Sequence, residues 1–275
     1  MRFNPITHDP TEVDAQFPAD MVHLDIESGG IKLLNVFYTT QGAEPHPTVL
    51  LLHGIPGMER NLDLAHTFRR AGWHVLVIHY RGNWGSGGTY TFNNTWEDSL
   101  RAIEVLRDPQ IVEKYRIDPN QIIAIGHSLG GWLALMLAAQ GILDAAVSIA
   151  GVNMGMWGEL LRDEPESRPP ALEFFDSVQA PLSGSSGQAL VDEMIVNPEA
   201  WNLMRKIDEF AGKKLLLIAG ERDMDVHMML HHSPLVATLQ QVGSAQVTEE
   251  ILDAEHTFSD KRIVLAQIIV EWLAQ

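Results

Sequence analysis

Cysteine is absent from the 275 residues, which excludes a disulfide framework, thiolate metal ligation and a cysteine nucleophile together. Basic residues are scarce: 19 Lys and Arg stand against 36 Asp and Glu, a formal net charge of −17 at pH 7. Such a field repels phosphate backbones, so no nucleic-acid partner is expected, and a strongly anionic substrate would need a local basic cluster. No apolar run reaches the roughly 18 residues a membrane-crossing helix requires, so no membrane partner is expected either. The opening stretch MRFNPITHDPTEVDAQFPAD has no apolar core behind a basic start, and it does not read as a secretion signal. These absences together lead to the expectation of a soluble cytoplasmic protein.

What remains is an ordinary globular balance of 45% hydrophobic and 20% charged residues. A chain of this length can bury a large core without staples. Met21 to Glu27 and Ile31 to Thr40 read as a hairpin across Ser28-Gly29-Gly30. TVLLLHG, from Thr48 to Gly54, is a continuous apolar run suited to a strand buried on both faces. A helix over Asn61 to Ala71, a strand over His74 to Tyr80 and a helix over Thr95 to Arg107 follow by apolar spacing. QIIAIG then reads as a strand, the residues from Ser128 as an almost wholly apolar helix, and Leu143 to Gly151 as another strand.

The alternation stops at about Val152 and resumes near Gly212 with the strand KKLLLIAG, a helix in the 226–242 region, the strand AQVTEEIL and a last helix from Phe258. Strands alternating with helices predict a mostly parallel, doubly wound α/β sheet of about eight strands with an antiparallel start. The interruption predicts a small helical cap inserted over residues 152–211, with residues 1–151 and 212–275 forming the core. Ligands of such sheets bind beyond the C-terminal ends of the strands, and the motifs that carry chemistry all fall there.

Gly126-His127-Ser128-Leu129-Gly130 matches G-x-S-x-G between a predicted strand and a predicted helix. In that context the turn is too tight for side chains at the glycine positions, and it lifts a serine hydroxyl clear of the sheet beside a helix N-terminus. A plain N-cap serine is the simpler alternative. Further stations stand at His53-Gly54-Ile55-Pro56-Gly57, at Gly220-Glu221-Arg222-Asp223 and at Glu255-His256-Thr257-Phe258, each after a strand.

With these four stations in the order Ser, Asp, His, the chain from about residue 21 onward resembles the α/β-hydrolase superfamily of serine hydrolases. It is closest in kind to capped esterases, with some similarity to the hydrolase domain of acyl-aminoacyl and prolyl peptidases through YRGNWGSGG. The resemblance implies an α/β-hydrolase fold, Ser128 as nucleophile, His256 as base and Asp223 as the acid that orients it, with Asp225 a close rival. It further implies that the N–H groups of Ile55 and Leu129 form an oxyanion hole, where such donors are typically worth roughly 3–4 kcal/mol each. No metal and no cofactor is needed.

The YRGNWGSGG loop offers Arg81, Asn83 and Trp84 as substrate contacts, and its glycines lack phosphate-loop spacing. His227, His231 and His232 lie about one helical turn apart, but without a zinc-binding pattern they read as a solvated helix face. Met154, Met156, Trp157, Phe174, Phe175, Met194 and Trp201 form either an apolar acyl pocket or simply the core of the insertion, with Met154 and Trp157 the foremost substrate contacts.

The function expected is cleavage of a small-molecule carboxylic ester through an acyl-enzyme. Amidase or aminopeptidase-like cleavage on the same residues is the first alternative, and a non-catalytic ligand-binding homologue the second. Epoxide-hydrolase and dehalogenase chemistry would want Asp at position 128, and dienelactone-hydrolase chemistry usually a cysteine. A homodimer stays open.

Overall fold

The computed structural model describes residues 3–275. The first half of the chain forms β1 (Asp20–Val22), β2 (Glu27–Ser28), β3 (Ile31–Lys32), β4 (Asn35–Thr39) and β5 (His46–Leu52). Helix α1 (Leu62–Arg70), β6 (His74–Ile78), α2 (Phe92–Leu106), α3 (Pro109–Tyr115), β7 (Ile117–His127), α4 (Leu129–Ala139) and β8 (Ala145–Ile149) follow. Four helices then succeed one another without a strand: α5 (Met154–Asp163), α6 (Arg168–Ser177), α7 (Gly187–Val196) and α8 (Pro198–Trp201). The chain closes with β9 (Lys214–Gly220), α9 (Met228–His231), α10 (Ser233–Val242), β10 (Gln246–Leu252) and α11 (Arg262–Leu273).

Eight strands form one sheet in the order β1-β4-β6-β5-β7-β8-β9-β10. The β1–β4 and β4–β6 pairs are antiparallel, and every pair from β6 to β10 is parallel. This is the mostly parallel, doubly wound sheet with an antiparallel start expected from the alternation, and the fold that the resemblance to α/β-hydrolases implies. The central strands are covered on both faces, which is why HVLVI in β6 and VLLL in β5 are apolar without alternation. On one face α1 and α11 pack Leu64, Phe68, Leu265 and Ile269 against Val49, Val75 and Ile218. On the other, α2, α4 and α10 pack with Leu50, Leu76 and Ala124. Helix α4 is buried on every side, in keeping with a sequence that carries no charge from Leu129 to Ala139.

The initial hairpin departs from the expected long ladder. It splits into a two-residue hairpin, β2–β3, and the β1–β4 pairing. Between them the Asn35 side chain accepts from Leu24 N and donates to Leu24 O and Leu33 O, taking over the hydrogen bonds a backbone ladder would make. The helix expected over 226–242 is likewise broken, at His232, just before the Pro234 ring, which cannot continue the backbone hydrogen bonding of α9.

The helices from α5 to α8 are fastened to the sheet side by specific groups. Glu193 on α7 accepts the N–H groups of Phe92 and Asn93, both at 2.8 Å, and so caps the N-terminus of α2. Trp132 on α4 donates its indole N–H to Trp201 O at 2.9 Å. Phe92 meets Phe175 and Trp201 edge-on.

Candidate active site

Two rungs of the sheet bring the four motifs together. Leu52 pairs with Gly126 at the ends of β5 and β7, which sets His53-Gly54-Ile55 beside His127-Ser128-Leu129. Leu252 pairs with Gly220 at the ends of β10 and β9, so Asp223 and His256 leave adjacent strands within a few residues of one rung. Parallel pairing thus collects residues remote in sequence on a single edge.

The turn at Ser128 has the compression expected of an exposed nucleophile. A Cβ on Gly126 would lie 1.9 Å from Gly130 O, and one on Gly130 would lie 2.1 Å from Leu52 O. Backbone occupies the space a side chain would need at both positions. Ser128 itself sits at φ 58 and ψ −119, a strained conformation for a non-glycine residue, held by Ser128 N donating to Ile149 O. Its side chain makes no N-cap hydrogen bond, so the plain capping alternative does not describe it. The first N–H of α4 belongs to Leu129 and has no acceptor within the helix. The Ile55 N–H lies in the facing loop, and Gly54 packs so closely that a Cβ there would stand 2.8 Å from Ser128 Cβ.

His256 Nδ1 donates to Asp223 Oδ2 at 2.7 Å. Because a carboxylate only accepts, the ring carries its proton on Nδ1 and leaves Nε2 as a bare acceptor. The Asp223 carboxylate is itself held by the N–H groups of Asp225 and Val226, which donate to Oδ1 at 2.9 and 2.8 Å. Asp223 is buried and Asp225 exposed, so the geometry separates two carboxylates that their spacing in sequence left as rivals. The loop beyond His256 is tied by Glu255, whose carboxylate accepts from the backbone N–H groups and the hydroxyls of Thr257 and Ser259. Burial works to raise this carboxyl, and the four donors outweigh it and hold it near 2. The one-apart hydroxyls of E-x-T-x-S were the sequence signal for this clamp, and it was not read.

Ser128, His256, Ile55 and Leu129 line one cavity of about 460 Å³. Met154, Trp157, Phe174 and Phe175 also line it, joined by Phe92 and Leu160. Trp157 stacks on Phe175 with centroids 5.3 Å apart. Met194 and Trp201 are buried away from the cavity, in the packing between the inserted helices and the core. The acyl-pocket and core readings of this aromatic set therefore each describe part of it. At the cavity's edge stand Glu59 and Asp225 together with the exposed Met58 and Met224.

Trp84, expected at the substrate, is not among the residues lining the cavity. Its indole N–H donates to Pro56 O at 2.7 Å, and Asn83 Nδ2 donates to the same oxygen at 3.0 Å. Arg81 is buried and gives its Nε to Asp98 at 2.6 Å and its Nη2 to Glu97 at 2.6 Å. Asn83 and Trp84 thus brace the loop that carries Ile55, Arg81 is tied to α2, and none of the three lines the cavity. The His227–His232 group also departs from expectation. His232 is buried with its Nε2 3.0 Å from Glu249, and His231 Nδ1 accepts from Asn153 N. Burial lowers both rings, His231 to about 4. His227 is exposed, as a solvated face requires, whereas His231 is half-buried and His232 buried, each with a hydrogen-bond partner. Among the described residues the one group with metal-like convergence is Asp223, Asp225 and His256, which is the acid–base pair already described.

A model of the alpha/beta hydrolase family matches residues 49–265. The lysophosphatidylserine lipase ABHD12 of Bos taurus is 25% identical over 222 residues, which are 73% of this chain and 53% of that protein. The chain thus spans about half the length of that relative. Among solved structures, the acylaminoacyl peptidase of Pyrococcus horikoshii superimposes with a TM-score of 0.67 at 16% identity, over 94% of this chain and 41% of that one. Est1E of Butyrivibrio proteoclasticus, solved with ferulic acid, does so with a TM-score of 0.65 at 19% identity, over 91% and 98%.

Proposed function

Because the chain belongs to the alpha/beta hydrolase family, we propose that it is a serine hydrolase that cleaves carboxylic esters through an acyl-enzyme. The observation that carries this reading is the 2.7 Å bond from His256 to Asp223 at the wall of the cavity that also exposes Ser128. Ser128 Oγ attacks the ester carbonyl while His256 Nε2 takes its proton. The carbonyl oxygen becomes an oxyanion held by the Ile55 and Leu129 N–H groups. Asp223 keeps the ring in the right tautomer and stabilises the imidazolium. The tetrahedral intermediate collapses, the C–O bond to the alcohol breaks, and His256 returns the proton to the leaving oxygen. Water, deprotonated by the same ring, then attacks the acyl carbon, the bond to Ser128 Oγ breaks as the acid leaves, and His256 returns the proton to the serine.

The inserted helices, residues 152–211, serve as a cap whose inner side supplies the acyl-binding wall. Met154, Trp157, Phe174 and Phe175 favour an apolar acyl group, and Glu59 with Asp225 at the edge disfavours an anionic leaving group.

Ser128→Ala should lose at least about 10³-fold in kcat on p-nitrophenyl esters while unfolding at the wild-type temperature. A fluorophosphonate should label the wild type at Ser128 and leave the variant unlabelled. Wild-type turnover in the variant, or no adduct at Ser128 in an active enzyme, would overturn the reading. Aminoacyl anilides run beside the esters decide between ester and amide cleavage, and faster anilide turnover would overturn the ester assignment.

A further inference from the structure

His127, the variable residue of the Gly-x-Ser-x-Gly turn, is buried and has no place in the proton transfers above. Its Nε2 lies 2.8 Å from the backbone oxygen of His256. A carbonyl can only accept, so Nε2 carries the proton and donates. The other ring nitrogen, Nδ1, is buried without a partner. The His127 and His256 rings also pack against each other, with centroids 4.6 Å apart and planes at 48°. One side chain rooted next to the nucleophile thus touches the residue that bears the base at two points, its backbone and its ring.

We infer that His127 is a positioning residue: its Nε2–H ties the His256 backbone to the nucleophile turn and so sets the separation between Ser128 Oγ and the ring that takes its proton. The inference rests on the assignment of Ser128 and His256 made above. Two loops at the ends of strands three positions apart in the sheet order, β7 and β10, have no shared ladder to fix their distance. Asp223 fixes the ring's tilt from the β9 side, and His127 fixes its reach from the β7 side. Burial, reinforced by the neighbouring His256, lowers His127 to about 3. The ring therefore remains neutral, with its tautomer unchanged, across the range in which an imidazole base works.

The test separates the hydrogen bond from the bulk of the ring. In His127→Gln the amide nitrogen falls close to the place of Nε2, and in His127→Asn it falls one bond short. His127→Leu fills the space with no donor. Rates are taken per active site titrated with a fluorophosphonate. The Leu and Asn variants should lose about 10- to 100-fold in kcat with KM within about twofold, the size expected when a base is misplaced by up to an ångström. The Gln variant should recover most of that loss. If the Leu variant does not fold, the Gln and Asn pair carries the same comparison. Equal rates in Gln and Asn variants would overturn the proposal, as would wild-type kcat in the Leu variant or a change confined to KM. Failure of the underlying site assignment shows differently, as absence of the Ser128 adduct in wild-type protein.

Discussion

Asp98→Ala removes one partner of the Arg81–Asp98 pair and should be among the most damaging substitutions outside the cavity. The Asp98 side chain is 0% exposed and that of Arg81 9%. Asp98 accepts from Arg81 N at 2.7 Å and from Arg81 Nε at 2.6 Å. Burial pushes the Asp98 carboxyl above the usual carboxylate range even against those bonds. Burial also works to lower Arg81, whose bonds to Glu97 and Asp98 outweigh it. Desolvation is thus the largest single influence on each partner, and the intact pair adds little net stability. Its rupture is another matter, because a buried guanidinium keeps only Glu97 and the Asn94 carbonyl. Breaking such a pair costs about 3–5 kcal/mol. For a chain of this size each kcal/mol lowers Tm by roughly 2–4 °C, so the drop should be about 6–20 °C. A thermal melt measures the drop, and urea unfolding followed by tryptophan fluorescence measures the loss in free energy. The double variant Arg81→Met/Asp98→Leu, which removes both charges and keeps the bulk, should recover most of the loss. Since Asn83 and Trp84, just beyond Arg81, both grip Pro56 next to Ile55, the proposed oxyanion donor, kcat per titrated site should fall in Asp98→Ala as well. A destabilisation below about 1 kcal/mol, or a double variant no better than the single one, would refute this reasoning.

Two further outcomes follow from groups already described. Gly126→Ala should not yield folded protein, because its Cβ would meet the Gly130 carbonyl at 1.9 Å, backbone against backbone; a soluble variant with wild-type Tm would contradict the described turn. His53, His74 and His127 are lowered from 6.5 to about 3, chiefly by burial. Their contribution is present above pH 6.5 and is lost as pH falls from there toward 3, because the unfolded chain binds protons that the folded one refuses. By pH 5.5 each should have cost on the order of 1 kcal/mol, a substantial part of a total stability of roughly 5–15 kcal/mol when the three are taken together. His79 and His231, lowered to about 4, add to the same loss, and the raised carboxyls of Asp98 and Glu193 act in the opposite sense, so His74→Gln, which deletes one histidine far from the cavity, isolates the effect: the loss between pH 7.5 and 5.5 should shrink by about 1 kcal/mol. An unchanged slope in that variant rejects the assignment.

The fold was readable because its evidence is local and repeated. Apolar runs such as LLL in β5 and VLVI in β6, set between helical stretches, admit few arrangements other than a doubly wound sheet. The site was readable for a related reason: each motif closes a strand, and parallel strands deliver their ends to one edge. Choices that depend on side-chain direction were not readable. Asp223 and Asp225 are two residues apart on one loop, and only the fold decides which faces the ring. Trp84 was expected at the substrate because its loop resembles one that lines the active site of α/β-hydrolases, yet its N–H is committed to Pro56. His231 and His232 looked solvated on helical spacing, but they bond to Asn153 and Glu249, residues on other elements that spacing alone does not place beside them. The reach of His127 to a carbonyl 129 residues away has no local signature.

The carboxylate that α7 lends to the start of α2 has a bearing on traffic. Lifting the inserted helices would strand Glu193 and leave the amides of Phe92 and Asn93 without their acceptor, so the roof is bolted in place. The cavity's exposed lining is of another kind: Met58 and Met224, 68% and 76% exposed, are two unbranched thioether side chains that can swing aside singly without moving any backbone.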